Sequence, residues 1–588
     1  MKKIICFIIT LILISNTSLV FAESSPWADP YIKRATEENF IPEIIGENYT
    51  DNLSRSEFTH LAVRLISKLC SITDEDVIKD ADTSVFTDTK SPYISAAYSF
   101  GIVSGTGYKT FSPDSDITRQ EAAKILANTY FFLKDIPSSA AKVYYKDYDE
   151  ISNWAKPYVD TVSSLSLMEG KEDGSFAPLE AYTKEQGIVT FLRLYDRILS
   201  DGGIQPPMNN KNPEISGMLS VKDGYLFDGE NYILLKGINL GGWLLMETWM
   251  NPVMTTGFTA YSDLLAVLES RFGDKKTETL IASYEENFIT EKDFERIEAL
   301  GFNCVRIPFW YRNFTDKKGN YLPDSKGHKR IDWALEQCEK HDLYAILDMH
   351  GCPGGQSMDH STGITGMNEL YDNEKNLKIM ENVWVNIAKR YKDNKYIAAY
   401  DIMNEPQNNG DWSGKRAWRP ESLDAVSRTN AVYDRMIKAI RRVDQNHIIT
   451  VEGIWSIDTL PDPNEYGWTN MMYQLHIYDT SEDMINYRVN ELIYAREKYG
   501  VAAYVGEYNS KGMERYASDR YEENMISSTK WTYKTVNVWY DGWGLYNKNT
   551  DGFNISTSSY DDITKAYSDE VITENGFDLN LFEYLKIK

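Results

Sequence analysis

The sequence predicts an α/β fold, a closed (β/α)8 barrel of the TIM type, preceded by a smaller all-α domain built from repeats. Three observations predict it. Eight apolar, β-rich runs recur over residues 216–588, with helical stretches between the early members. A signature returns at intervals of 64 and 65 residues within residues 27–200. Polar and charged residues gather at the ends of the apolar runs, where such a barrel carries its reactive groups. At 588 residues the chain is also too long for one hydrophobic core.

Residues 1–22 read as a signal peptide: Lys2 and Lys3 begin it, an apolar run follows from Ile4 to about Ile14, and Val20-Phe21-Ala22 supplies the small residues of a cleavage site. The run is too short to span a bilayer, and no later stretch is long enough, so no membrane span is expected. Removing Lys2 and Lys3 from 62 basic residues leaves 60 against 87 acidic, a formal net charge of −27. That excludes nucleic acid and anionic membrane as partners, whereas an uncharged polymer is not repelled. Cys70, Cys304, Cys338 and Cys352 remain after the signal peptide and fit no zinc spacing. The chain reads as an exported protein that does not rely on disulfides; Cys304 and Cys338, on neighbouring barrel elements, are the pair a bridge would join.

The repeats occupy residues 23–198. One mark is an aromatic-small-x-Pro-Tyr start, as Trp27-Ala28-Asp29-Pro30-Tyr31 and Trp154-Ala155-Lys156-Pro157-Tyr158, reduced in the middle copy to Pro92-Tyr93. The other is a turn into a helix: Ser54-Arg55-Ser56-Glu57, Thr118-Arg119-Gln120-Glu121 and Thr183-Lys184-Glu185-Gln186. The Ser or Thr before each cation is an N-cap, and apolar residues follow at helical spacing. Each unit therefore reads as helix, Gly-rich loop, capped helix. Residues 199–215, with Gly202-Gly203, Pro206-Pro207 and Asn212-Pro213, read as a linker, and residues 216–588 as the barrel.

Its eight expected strands are Ile233–Asn239, Cys304–Pro308, Tyr344–His350, Ile397–Asn404, Ile448–Glu452, Met472–Tyr478, Ala502–Glu507 and Ser527–Trp531. No Gly-rich phosphate loop follows the first, which disfavours the rival doubly wound nucleotide-binding sheet. Arg306, His350, Asn404, Glu405, His476, Tyr478, Glu507 and Trp531 all fall at or near strand ends. A buried carboxylate is costly without partners or a task. Two of them, Glu405 and Glu507, at the ends of separate strands point to the paired acid/base and nucleophile chemistry that cleaves glycosidic bonds. No cofactor or metal is expected, since His350, Asp359 and His360 lack the spacing of a ligand set.

Two resemblances follow from these residues. The repeats, most clearly Phe86-Thr87-Asp88, Ile102-Val103-Ser104-Gly105 and Ile117-Thr118-Arg119-Gln120-Glu121, resemble S-layer homology repeats. That implies attachment of a secreted protein to secondary cell-wall polysaccharide of a Gram-positive-type bacterium, with Arg55 and Arg119 on the polymer and Trp27 and Trp154 as stacking surfaces. The third repeat departs from the pattern at Lys184 and Gln186. Residues 230–550 resemble glycoside hydrolase family 5: Asn404-Glu405-Pro406 is similar to its acid/base segment, Val505-Gly506-Glu507 to its nucleophile strand, and Arg306, His350, His476, Tyr478 and Trp531 to its other polar and platform positions. The resemblance implies a retaining hydrolase of β-glucan, with Glu405 as acid/base, Glu507 as nucleophile, Asn404 on the sugar 2-hydroxyl, and Trp531 under the sugar. The opening Gly237-Ile238-Asn239-Leu240-Gly241-Gly242-Trp243 through Glu247 and Trp249 is similar to the exo-acting β-1,3-glucanase branch, which implies that Glu247 contacts the terminal sugar. Thr248 and the Asp359–Gly363 loop depart from that branch. Exo action on β-1,3-glucan, mannan hydrolysis, and a silent polysaccharide-binding wall protein are the alternative readings.

Overall fold

The computed structural model describes residues 24–134, 142–201, 203–204, 212–254, 259–407, 423–536, 543–548, 552–568 and 578–587. The expected signal peptide lies outside them, as does much of the expected linker. Two compact units are present: Met1–Lys68 with Ser112–Tyr130 and Pro137–Asp201, and Leu69–Phe111 with Phe131–Ile136 and Gly202–Lys588.

Each repeat contributes the two helices that its signatures require, and within the first unit Asp29–Glu37 packs on Lys184–Ser200. The first helices are Asp29–Glu37, Pro92–Ser99 and Lys156–Ser164, each with Pro in its opening turn, and the second are Arg55–Cys70, Arg119–Lys134 and Lys184–Ser200. Proline is favoured there because its missing N–H would be unpaired anyway. In the first unit the three turns close a ring of backbone hydrogen bonds. The Leu53 N–H donates to Tyr182 O (2.8 Å), Tyr182 N–H to Ile117 O (2.9 Å), and Ile117 N–H to Leu53 O (2.9 Å). The cations follow the same circuit. Arg55, buried, donates to Glu121 (3.0 Å), and Lys184 lies 3.2 Å from Glu57. In the third repeat the position of the acid is Gln186, which accepts from Thr183 N–H as Glu57 and Glu121 accept from Ser54 and Thr118 N–H, and the buried Arg119 donates to the carbonyls of Phe176 (2.7 Å) and Glu169 (2.8 Å).

The second unit contains the expected barrel. Its strands are β1 (Lys236–Asn239), β2 (Cys304–Trp310), β3 (Tyr344–Gly351), β4 (Ile397–Asp401), β5 (Ile448–Glu452), β6 (Met471–Ile477), β7 (Ala502–Tyr508) and β8 (Ser527–Lys530). They are parallel, each beside its sequence neighbours, and β8 closes on β1. Strands covered on both faces read as continuous apolar runs, as β4 and β5 do, buried throughout. Apolar helix faces pack around them, anchored by large buried rings such as Trp243, Trp384 and Tyr433. The mouth where the strands begin is sealed by a three-stranded sheet, Ser220–Lys222, Tyr225–Phe227 and Tyr232–Ile233. Leu219, Leu226 and Leu235 there pack with Cys304, Tyr344, Ile448 and Ala502 at the strand starts. The reactive end is therefore the other one. Cys304 and Cys338 are free thiols. Among the described residues no helix is long and apolar enough to cross a membrane.

One buried carboxylate outside the site makes a testable contribution to stability. Asp444 Oδ2 lies 2.6 Å from His447 Nδ1 and accepts from Tyr400 Oη at 2.9 Å. Burial pushes its carboxyl up, but His447 and the Asn446 and His447 N–H groups hold it down at about 2. A depressed acid stabilises the fold above its unfolded pKa, and that contribution disappears as pH falls through the folded value. Asp444→Asn is expected to cost about 2 kcal/mol at pH 7, and the gap between variant and parent in urea melts is expected to close between about pH 4 and 2.

Candidate active site

The site grows from the ends of the strands. Arg306, on β2, is fully buried and acts as its hub. It donates from Nε to Asp401 Oδ2 (2.9 Å), from Nη1 to Glu507 Oε1 (2.8 Å) and Asn239 Oδ1 (3.1 Å), and from Nη2 to Asn404 Oδ1 (2.9 Å); Asp348 Oδ2 lies 3.1 Å from Nη2. Burial alone would lower its pKa, but Asp348, Asp401 and Glu507 keep it charged. Burial and the neighbouring Asp348 raise Asp401 to about 6, against the pull of Arg306 and the Gln474 amide, which donates to it at 2.6 Å.

Glu507, on β7, is held at both oxygens. Oε1 accepts from Arg306 and Oε2 from the Tyr478 hydroxyl at 2.7 Å. Gly506 before it is required by space, because a Cβ there would overlap Gln474 Oε1 and stand 2.9 Å from His476 Nε2. Across the mouth, Asn404 and Glu405 follow the end of β4. The backbone turns sharply: Glu405 has φ 40° and Gln407 φ 56°. The turn is stapled by Gln356, whose amide donates to the carbonyls of His350 (2.7 Å) and Asn404 (3.0 Å), while its own carbonyl accepts from Gln407 N–H (2.8 Å). Its effect is to aim the Glu405 carboxylate into the mouth.

His476 lies between the two acids. Its Nδ1 is 3.1 Å from Glu405 Oε1, 3.4 Å from Glu507 Oε2 and 3.6 Å from Glu452 Oε1. Three acceptors around Nδ1, and none within hydrogen-bonding reach of Nε2 among the described residues, place the ring proton on Nδ1. Burial lowers this imidazole to about 4, so it is neutral at pH 7. One carboxylate oxygen of Glu405, one of Glu507 and a His476 nitrogen lie within 4.8 Å of one another. Oxygens that close are compatible with the ~5–5.5 Å that separates the carboxyl groups of a retaining pair.

A second cluster surrounds Glu247. Trp249 Nε1 donates to its Oε2 (2.8 Å), His360 Nε2 stands 3.5 Å from the same oxygen, and His350 Nε2 is 4.0 Å from Oε1. Burial opposes protonation of both imidazoles, but Asp348 raises His350 to about 9, and Asp359 with Glu247 raises His360 to about 10. Both imidazoles thus stand near the Glu247 carboxylate, and the Asn404 amide nitrogen lies 3.5 Å from His350 Nε2. Trp531 is buried and stacks on His350, with centroids 5.5 Å apart at 9°.

The structure therefore brings Glu405, Glu507, Glu247, Arg306, His350, Asn404, His476, Tyr478 and Trp531 to one end of the barrel. Trp27, Arg55 and Arg119 belong to the other unit; Trp27 and Trp154 are 49% and 47% exposed, while the two arginines are buried. Sequence reasoning gave no catalytic role to Asn239, Trp249, Asp348, Asp401, Glu452 or Gln474. A polar residue closing an apolar run was the available signal, and Asn239 and Glu452 carried it. Of the further tryptophans, Trp310 and Trp468 are core, Trp543 lies against Tyr478 and Trp249, and Trp412 and Trp418 fall outside the described residues.

A closed parallel (β/α)8 barrel with two facing carboxylates on its C-terminal rim defines the class of fold and site. Residues 270–550 match the family model "Cellulase (glycosyl hydrolase family 5)", and residues 86–123 and 144–186 match the S-layer homology domain. The barrel thus resembles glycosyl hydrolase family 5, and the repeats resemble S-layer homology domains. β1 and Glu247 precede the stretch matched by the cellulase model, and the first repeat precedes the S-layer match. Among curated relatives, a β-xylosidase of Phanerodontia chrysosporium is 31% identical over 273 residues, 45% of this chain and 51% of that protein. An endoglucanase of Bacillus sp. strain KSM-635 is 23% identical over 508 residues, 84% of this chain and 47% of that protein. Glucan 1,3-beta-glucosidase 1 of Schizosaccharomyces pombe is 27% identical over 258 residues, 42% and 60% respectively. The chain spans about half the length of the first two of these relatives.

Proposed function

We propose that this chain is a cell-surface retaining hydrolase of β-glucan. The reading rests on the gap between Glu405 and Glu507, whose nearest oxygens lie within 4.8 Å. Glu507, ionised between Arg306 and Tyr478, attacks the anomeric carbon while Glu405 gives its proton to the leaving oxygen. The glycosidic bond breaks and a glycosyl ester forms on Glu507. Glu405, now a carboxylate, takes a proton from a water whose oxygen bonds to the anomeric carbon as the ester bond to Glu507 breaks, which frees Glu507 as a carboxylate and releases the sugar with its configuration kept. Neutral His476 donates one N–H toward the acids without adding a charge. Asn404, fixed by Arg306, presents its amide to the sugar 2-hydroxyl, and Trp531 offers an aromatic face to the ring.

Endo cleavage of β-1,4-glucan and exo cleavage of β-1,3-glucan are the two forms of this reading; relatives named endoglucanase and glucan 1,3-beta-glucosidase are in keeping with a glucan substrate. The Glu247 cluster favours the exo reading, since a carboxylate braced by Trp249, His350 and His360 suits the hydroxyls of a terminal sugar. Mannan remains an alternative substrate. We read residues 1–22 as the export signal, 23–198 as three wall-binding repeats, 199–215 as a linker and 216–588 as the catalytic domain. With Arg55 and Arg119 committed between repeats, they shape the wall-polymer site, and the half-exposed Trp27 and Trp154 supply its stacking faces. Such tethering, to secondary polysaccharide of a Gram-positive-type wall, keeps released sugars near the cell.

A product profile on β-1,3-, β-1,4-, β-1,6- and mixed-linkage glucans plus mannan tests this reading. Glucose alone from one of the glucans is expected for exo action, and a ladder of oligomers for endo action. No release from any polymer would leave a silent binding protein.

A further inference from the structure

Glu452, the last residue of β5, has no part in the reaction as derived so far, yet it is tied to the acid/base. Its Oε2 accepts the backbone N–H of Glu405 at 2.6 Å, and its Oε1 faces His476 Nδ1 at 3.6 Å. Glu405 is the residue that most needs such a tie. Its φ of 40° lies in the left-handed region, which a non-glycine residue holds only where surrounding structure enforces it. Glu452 is itself fixed, since the Tyr433 hydroxyl donates to its carbonyl (3.0 Å) and accepts from its N–H (3.2 Å). The groups facing its carboxyl are Glu405 and Asp401 beyond and on β4, His476 on β6 and Glu507 on β7. Burial pushes that carboxyl well up, and Glu405, Asp401 and Glu507 push it further, so a neutral acceptor suffices at the site.

We propose that Glu452 is a positioning residue that holds the acid/base Glu405 in its firing conformation by accepting its backbone N–H. This rests on Glu405 being the acid/base. Loss of the acceptor then weakens proton delivery and little else. The dependence on leaving group separates that from general damage, because a dinitrophenyl glycoside departs without a proton and its kcat/KM reports only the first step.

Glu452→Leu is expected to lower kcat/KM on a glucan oligosaccharide about 100-fold while changing it less than about 3-fold on the dinitrophenyl glycoside. Glu452→Gln, which keeps an acceptor oxygen and matches a neutral carboxyl, is expected to restore the oligosaccharide rate. Equal losses on both substrates, no loss on either, or failure of Gln to rescue would each overturn the proposal. If the Leu variant does not fold, Glu452→Asp, one methylene short of the N–H, makes the same comparison. A parent enzyme that hydrolyses neither substrate, or a Glu405→Gln variant as active on the oligosaccharide as the parent, overturns the acid/base reading itself.

Discussion

Glu507→Gln is expected to abolish turnover, lowering kcat/KM on the best glucan by about 10⁴-fold or more, near 5.5 kcal/mol of transition-state stabilisation. The amide cannot form the glycosyl ester, and no other carboxylate takes its place. Glu405 sits on the leaving-group side, and Glu452 is turned to the Glu405 N–H. Gln keeps the shape, with its one carbonyl oxygen accepting from Arg306 and its NH2 donating to the Tyr478 hydroxyl, so the variant is expected to fold and to bind glucan. A 2-fluoro glycoside with a good leaving group separates the states: the parent is expected to gain one glycosyl mass on the peptide containing Glu507, and the variant none. Residual turnover within about 100-fold of the parent would contradict the assignment.

Arg306→Met is expected to be the most damaging single change to the fold of the site. It leaves Asp348, Asp401 and Glu507 buried without the guanidinium that all three face. Removing one partner from a buried ionic cluster costs about 3–5 kcal/mol, because the charges left behind are uncompensated. The pH dependence identifies the cause. Without Arg306 these carboxyls are easier to protonate in the folded state than in the unfolded chain. The folded state then binds more protons, and stability falls as pH rises. Asp401 already stands at about 6 with the guanidinium present. Urea melts of the variant are therefore expected to show the full deficit near pH 7 and a smaller one near pH 5. A deficit that does not vary with pH would mean lost packing, not uncompensated charge.

The barrel was legible because strands buried on both faces must be apolar along their length, and such runs are visible without any structure. Their edges were less so. Ile233 was expected to open β1, but Tyr232–Ile233 pairs with Tyr225–Phe227 in the sheet that seals the barrel, and β1 begins at Lys236. β4 was expected to reach Asn404 and stops at Asp401, because the backbone must leave the sheet to reach the positive φ of Glu405. Glu405 and Glu507 stood out as acids placed where burial is costly. Gln474 did not, since a neutral amide inside an apolar run signals no cost, and Asn239, though it closes such a run, has no charge to mark it; what they do depends on a guanidinium and a carboxylate from other strands. Glu452 was visible as a strand-end acid, but its use depends on one backbone torsion in another loop. The ring of turns in the first unit had the same limit. The Arg and Lys signatures mark the helix starts, while only the fold shows that Arg55 reaches Glu121 of the next repeat and that Arg119 donates to the carbonyls of Phe176 and Glu169.

The account stands on two carboxylates close enough to work on one carbon by double displacement. The direct measurement is the anomeric configuration of the first product, followed by proton NMR from the moment enzyme meets a β-linked gluco-oligosaccharide. The β anomer is expected to appear first and to mutarotate later toward equilibrium. If the α anomer appears first, Glu405 and Glu507 act across a water molecule, and the assignment of Glu507 as nucleophile is wrong.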